Sequence, residues 1–273
     1  MSAFASLFGG VKPILGMIHL PPLPGSPQGG ELAAALERAH SDASALIEAG
    51  VDGLIVENFG DSPFARTRVP AATVASMGVI VAELVREHNV AIGVNVLRND
   101  AEAALSIATV TGAEFIRVNV HIGAVVADQG IIQGQARETL MLRQALGSSA
   151  LLFADLRVKH ASPLGEPADL VDEAKNTFGR GAADALILSG VATGAAADAS
   201  EFARVKEALP TAPLLVGSGA SQDNLREFWP VADGMIVGSS LKFEGNALQP
   251  VDPDRARAFL REVSQLRREA GGP

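Results

Sequence analysis

Cysteine and tyrosine are absent from the sequence, tryptophan occurs once, and aromatic residues make up only 4% of its 273 residues. Without cysteine, disulfides and thiolate-ligated metal sites are excluded. With so few aromatics, a core drawn from the 48% of hydrophobic residues must be mainly Ala, Val, Leu and Ile. Those residues suit buried parallel strands and the helices packed upon them. Long apolar runs are also missing. Uncharged stretches such as residues 69–82 and 185–197 fall short of the roughly 20 residues that a membrane helix needs and are interrupted by Gly, Ser or Thr. No basic stripe is present either: the net charge is −9 and the two signs are interspersed, which excludes a nucleic-acid partner. Residues 1–10 have neither a basic nor a long apolar signal segment, so the expectation is a cytoplasmic protein that is not membrane-embedded.

What is present is an alternation of short apolar runs with helical patterns. Pro13-Ile14-Leu15-Gly16-Met17-Ile18-His19 reads as a first strand, stopped by Pro21, Pro22, Pro24 and Pro27. A helical pattern over 31–49 ends at Gly50 and feeds Gly53-Leu54-Ile55-Val56-Glu57. Further strands are expected at 91–95, 115–119, 151–155, 185–189, 214–216 and 234–237, and helices at 77–88, 101–111, 170–178, 200–209 and 253–268. Asp252 is the expected N-cap of the last helix, with Pro253 at its first position. Eight strands alternating with helices and no hairpins predict a single (β/α)8 TIM barrel spanning residues 1–273 as one domain.

A weak repeat supports that count. The even strands follow Val51-Asp52, Ala113-Glu114, Ala183-Asp184 and Ala232-Asp233. Five residues beyond each acid stand Glu57, Asn119, Ser189 and Gly238; the matching odd-strand ends are His19, Asn95, Asp155 and Gly217. An open doubly wound sheet would not carry this two-strand period.

Barrel enzymes place their chemistry at the carboxyl ends of the strands. There the chain offers His19, Glu57, Asn95, Asn119, Asp155 and Ser189. Because side chains two apart on a strand share a face, Arg117 should point inward below Asn119 and needs a carboxylate, which Glu57 or Asp155 can supply. His19 and Asp155, on strands one and five, face each other across the barrel, as proton exchange by an isomerase or epimerase requires. His19 with Glu57 and Asp155 is also an N/O set suited to a divalent metal, and His19 can equally bond the proline loop; these alternatives stay open.

Two glycine turns end the last strands: Gly217-Ser218-Gly219, then Gly238-Ser239-Ser240 followed by Lys242. Glycine lets backbone N–H groups close on an anion, and the loops after strands seven and eight are the usual phosphate site of such barrels. Gly217, Ser218, Gly219, Gly238, Ser239 and Lys242 are the candidate phosphate ligands, and a phosphorylated small molecule the candidate partner. Residues 121–138 form an apolar, glycine-broken loop larger than a connection needs, a candidate lid or contact surface. Lys159, in the basic stretch Arg157-Val158-Lys159-His160, can form a Schiff base or bind a second phosphate, and residues 189–194 can wrap polar substrate groups.

The chain resembles the BtpA/SgcQ family. The residues that carry the resemblance are Lys12-Pro13-Ile14-Leu15-Gly16-Met17-Ile18-His19-Leu20-Pro21-Pro22-Leu23-Pro24-Gly25-Ser26-Pro27, then Asp52-Gly53-Leu54-Ile55-Val56-Glu57-Asn58 and residues 93–100. Phe115-Ile116-Arg117-Val118-Asn119, Val158-Lys159-His160, Gly217-Ser218-Gly219 and residues 233–242 extend it along almost the whole chain. It implies a barrel akin to the ribulose-phosphate-binding group. One branch of that family is named for photosystem I assembly and others are linked to sugar uptake and catabolism. The resemblance assigns neither a reaction nor catalytic residues. The two expectations are therefore a phosphosugar isomerase, epimerase or lyase, and an assembly factor for a membrane complex. Apolar outer-helix surfaces fit a homo-oligomer.

Overall fold

A computed structural model describes residues 2–158, 160–190 and 198–271. The eight apolar runs are strands, β1 (Ile14–His19), β2 (Gly53–Glu57), β3 (Ala91–Asn95), β4 (Phe115–Val118), β5 (Leu151–Leu156), β6 (Ala185–Leu188), β7 (Leu214–Val216) and β8 (Gly234–Val237). They run parallel and close into a barrel, with Leu15 of β1 opposite Ile236 of β8. Parity divides each strand. Leu15, Met17, Ile55, Phe153, Ile187, Leu215 and Ile236 fill the interior, while Ile14, Ile18, Leu54, Val56, Ile92 and Val94 face the helices. Gly93 allows this filling: a Cβ there would collide with the ring of Phe115.

The lead-in acids bracket the strands in pairs. The backbone N–H of Ile14 donates to Asp52 (2.7 Å), and those of Ile92, Leu152 and Leu214 donate to Glu114, Asp184 and Asp233, each at 2.8 Å. Each acid's own N–H returns a bond to the carbonyl of the same odd-strand residue (2.8–2.9 Å). The repeat is thus a device of the amino-end rim, where barrels carry stability rather than chemistry. That rim is plugged by a short helix the apolar pattern did not predict, α1 (Ala3–Leu7). Phe4 lies 5.6 Å from Phe153 and Phe8 lies 6.3 Å from Phe115 between ring centres, and Phe115 stacks on Phe153 at 4.6 Å.

The outer helices include α2 (Leu32–Ala49), α3 (Ala71–Glu87), α4 (Ala101–Thr111), α5 (Ala136–Ala145), α6 (Leu170–Lys175), α7 (Ala199–Ala208), α8 (Leu225–Phe228) and α9 (Pro253–Glu269). Asp252 caps α9, accepting from the N–H groups of Asp254 (2.9 Å) and Arg255 (3.3 Å). Helix α3 begins six residues before the expected start at 77, because its first turns bury the polar Thr73 and Ser76, which interrupt the apolar period. The hydroxyl of Thr73 donates to the carbonyl of Pro24 (3.2 Å) and fastens the proline-rich loop. Residues 176–180 after α6 form a π turn rather than ordinary helix.

The 121–138 loop, set apart from the barrel strands, contains a hairpin of its own. Ala124–Ala127 pairs antiparallel with Gly130–Gln133, and Ala161–Pro163 adds a third strand to that small sheet. Gly130, with φ of 96°, supplies the left-handed residue of the turn. Among the described residues, no helix is long and apolar enough to cross a membrane.

Candidate active site

The polar strand ends converge as parity requires. A cavity of about 740 Å³ opens at the carboxyl ends of the strands, lined by His19, Glu57, Arg117, Asn119 and Asp155 on one side and by Gly217, Ser218, Gly219, Gly238 and Ser239 on the other. Arg117 and Asp155 form a two-pronged pair, Nε to Oδ1 at 2.9 Å and Nη2 to Oδ2 at 3.0 Å. Asn119 Nδ2 donates to the same Asp155 Oδ2 at 2.8 Å. Asp155 therefore has three donors on its two oxygens.

His19 and Glu57 are directly opposite each other on neighbouring strands. His19 Nδ1 faces the carbonyl of Ala247 at 3.1 Å, and a carbonyl can only accept, so the ring proton sits on Nδ1 and Nε2 keeps its lone pair. That Nε2 lies 3.7 Å from Glu57 Oε1, and Phe59 backs the ring at 4.7 Å between centres. Burial, reinforced by the positive charges of Lys242 and Arg117, depresses the His19 pKa to about 3, so the imidazole is neutral. Burial raises the Glu57 pKa to about 7, Arg117 opposing and Asp155 adding to the shift. Two adjacent groups have thus been pushed in opposite directions.

The glycine turns meet across β7 and β8. Ser240 Oγ donates to the carbonyl of Ala220 (2.8 Å), tying one turn to the other. Asn224 shapes the first turn, donating to the carbonyl of Gly219 (2.7 Å) and accepting from the N–H of Ser221 (2.9 Å). Gly219 is left-handed, with φ of 85°. Gly238 leaves room for the histidine, since a Cβ there would stand 3.2 Å from His19 Cε1.

Several expected members lie elsewhere. Lys242 does not reach the mouth: its side chain is fully buried and its Nζ donates to Asp42 Oδ2 of α2 at 2.9 Å. The 3-10 turn Ser239–Leu241 carries it to the helix side of β8, where an unpaired ammonium would be costly and Asp42 neutralises it. Asn95 is also absent from the cavity wall. It sits 1% exposed and donates to the carbonyl of Arg117 (3.0 Å) and to Asn119 Oδ1 (3.2 Å), bracing the pair above it. Ser189 is buried against Gly217, its Oγ without a hydrogen-bond partner among the described residues. Lys159 and residues 191–197 fall outside the described residues. Among the described residues, His19, Glu57 and Asp155 do not converge as a metal cluster; the guanidinium of Arg117 occupies the carboxylate that a cation would need.

The cavity also holds Phe59 and Arg98, which no strand-end pattern marks, together with Asp128 and Gln129 of the 121–138 loop and His160 of the basic stretch. Asp128 and Gln129 are the tip of the hairpin, which therefore leans over the mouth. The Arg98 pKa is lowered by burial, with Asp155 and Glu57 opposing the shift. Glu57 is followed by Asn58, which ties the surrounding loops: its Oδ1 accepts from the N–H of Leu97 (2.7 Å) and its Nδ2 donates to Asp61 (3.0 Å). Asp61 in turn accepts from the N–H of Leu23 in the proline-rich loop (2.8 Å).

The fold and its mouth define an eight-stranded (β/α)8 barrel with a polar, concave site at the carboxyl ends of its strands. The chain belongs to the BtpA family, whose profile matches residues 10–265. It is 46% identical to the photosystem I biogenesis protein BtpA of Synechocystis over 93% of this chain and 88% of that protein. An uncharacterized Thermococcus kodakarensis protein is 46% identical over 95% of this chain and 98% of its own length. An uncharacterized mitochondrial protein of Caenorhabditis elegans is 34% identical over 93% and 94%. Among solved structures, native KDPGal superposes with a TM-score of 0.58 at 16% identity over 94% of this chain and 95% of that one. N-(5'-phosphoribosyl)anthranilate isomerase from Pyrococcus furiosus gives 0.55 at 14% over 93% and 99%. KGPDC from Streptococcus mutans gives 0.56 at 14% over 93% and 98%. At such identities the likeness is one of fold.

Proposed function

We propose that the protein is a phosphosugar-binding barrel enzyme, an isomerase, epimerase or lyase, in which the turns after β7 and β8 hold the phosphate and Glu57 moves the proton. The carrying observation is the placement of two glycine turns opposite an oppositely shifted His19–Glu57 pair in one cavity. A carboxyl group with a pKa of about 7 exists in both forms at neutral pH, as general acid–base catalysis requires. Neutral His19 offers Nε2 as an acceptor for a substrate hydroxyl. Asp155 is less suited to proton exchange with His19, because its three hydrogen bonds commit it to Arg117 and Asn119. Arg117 and Asn119 face the cavity and suit hydroxyl or oxyanion contacts. The fold neighbours, which include phosphoribosylanthranilate isomerases, are compatible with this class of ligand.

The Synechocystis relative's name favours a second reading, an assembly factor for a membrane complex. Relatives in archaea and a nematode, which build no photosystem, weaken a role confined to that complex.

The test is a thermal-shift screen against pentose, hexose and nucleoside phosphates, followed by turnover assays. A ligand at about 100 times its Kd should stabilise the fold by about 2.7 kcal/mol. Ser239→Asp, which sets a carboxylate at the second turn without the left-handed strain of Gly219, should remove the shift by repulsion. Glu57→Gln should bind but not turn over. A flat screen, or a hit unaffected by Ser239→Asp, overturns the phosphate assignment.

A further inference from the structure

On the outer shell, outside the cavity, α2 and the carboxyl end of α3 bring together His40, Glu83, Glu87 and His88. His40 Nε2 lies 2.9 Å from Glu83 Oε2, and His40 Nδ1 lies 3.2 Å from Glu87 Oε2. Both ring nitrogens thus face carboxylate oxygens. A neutral imidazole has one N–H, so one of these contacts sets a lone pair against an anion unless a cation lies there. The shorter contact suits the N–H on Nε2, leaving the lone pair on Nδ1. His88 adds a second, independent observation: its Nε2 is buried and has no hydrogen-bond partner among the described residues. One nitrogen from each histidine and one Glu87 oxygen lie within 4.8 Å of one another.

We propose that His40, Glu87 and His88 bind a divalent transition metal of the zinc class, with Glu83 holding His40 from behind. Two imidazole nitrogens and a carboxylate oxygen are a borderline donor set, which selects zinc-like ions over calcium or magnesium. An imidazole ligand usually donates its second N–H to a carboxylate, the relation of His40 to Glu83. The carboxyl end of α3 is the negative end of its helix dipole, which favours a cation there. Arg86 approaches the other oxygen of Glu87 at 3.4 Å and leaves Oε2 to face His40. A protonated His40 would settle its two carboxylate contacts but leave His88 Nε2 unpartnered; a metal accounts for both. With three protein ligands, a fourth position is left to water. The ion fastens α2 to α3, and the site does not rest on the phosphosugar reading.

The test uses the full-length protein after chelator treatment, titrated with Co2+ and then Zn2+. One Co2+ per chain should bind, with the visible absorption of a four-coordinate site, and Zn2+ should displace it. His40→Ala and His88→Ala should each weaken Zn2+ binding more than about 100-fold, and Glu83→Gln about 10-fold. In the unaltered protein, Zn2+ should shift the imidazole NMR signals of His40 and His88 while leaving His19 in place, a readout independent of variant folding. Binding unchanged by His88→Ala, shifts confined to other histidines, or no Co2+ bound overturns the proposal. The last outcome would mean that His40 is simply a protonated bridge.

Discussion

Arg117 and Asp155 face each other at the floor of the mouth from neighbouring strands, joined by two nearly parallel hydrogen bonds of 2.9 and 3.0 Å. Their side chains are 11% and 2% exposed, so water screens the pair little. Arg117 occupies a layer otherwise filled by Ile55, Phe153, Ile187 and Ile236, so each charge depends on the other. Arg117→Met strands Asp155 with Asn119 alone and should cost about 3–5 kcal/mol of unfolding free energy. The double replacement Arg117→Met with Asp155→Leu should cost less than either single change, and a denaturant double-mutant cycle checks this.

Lys242 and Asp42 form a second buried pair, on the helix side of β8 and outside the cavity wall. Asp42 also accepts from the N–H of Val251 (2.7 Å), so this carboxylate joins α2 to the chain entering α9. Lys242→Met should destabilise the protein by about 3 kcal/mol, while phosphosugar affinity stays within a factor of two. A large loss of affinity with unchanged stability would return Lys242 to the phosphate site.

The barrel was legible because buried parallel strands read as apolar runs and each ended in a polar or glycine residue. Period-two parity placed Arg117 inward and the ends His19, Glu57 and Asp155 around one cavity. The lead-in acids marked the strand count, although their role on the amino-end rim emerges only when Asp52 is seen holding the N–H of Ile14. Lys242 was misread because a single 3-10 turn decides which side of β8 it faces. Asn95 follows the strand-end pattern, yet its neighbours Arg117 and Asn119 cover it. Phe59, Arg98 and Gln129 reach the mouth from loops, where no periodicity tells direction.

The α1 plug offers a test of that amino-end rim. Phe4 is 5% exposed and closes the barrel interior against Phe153. Phe4→Ala should cost about 3 kcal/mol, the low end for a buried phenylalanine, because a five-residue helix can undock locally. Denaturant titration gives the stability. Ligand affinity should not move, because the plug and the cavity lie at opposite ends.

His19 and Glu57 should give the folded state two opposing pH dependences. His19 binds its proton at about 3 in the fold against 6.5 when exposed. Between those values the unfolded chain holds the extra proton, so stability rises with pH and is complete above 6.5. Glu57 binds at about 7 in the fold against 4.5 when exposed. Here the folded chain holds the extra proton, so stability falls from pH 4.5 to about 7, by a total on the order of 3 kcal/mol. Between pH 4.5 and 6.5 the two slopes cancel, which hides both in the unaltered protein. Glu57→Gln should therefore give a stability that itself rises from pH 3 to 6.5 and departs from the parent between 4.5 and about 7, and His19→Asn one that falls from 4.5 to about 7 and departs from the parent between about 3 and 6.5. Melting curves at half-unit pH steps for the three proteins make the comparison. Parallel profiles would mean that neither group is shifted, and the assignment of Glu57 as the proton-moving residue would go with it.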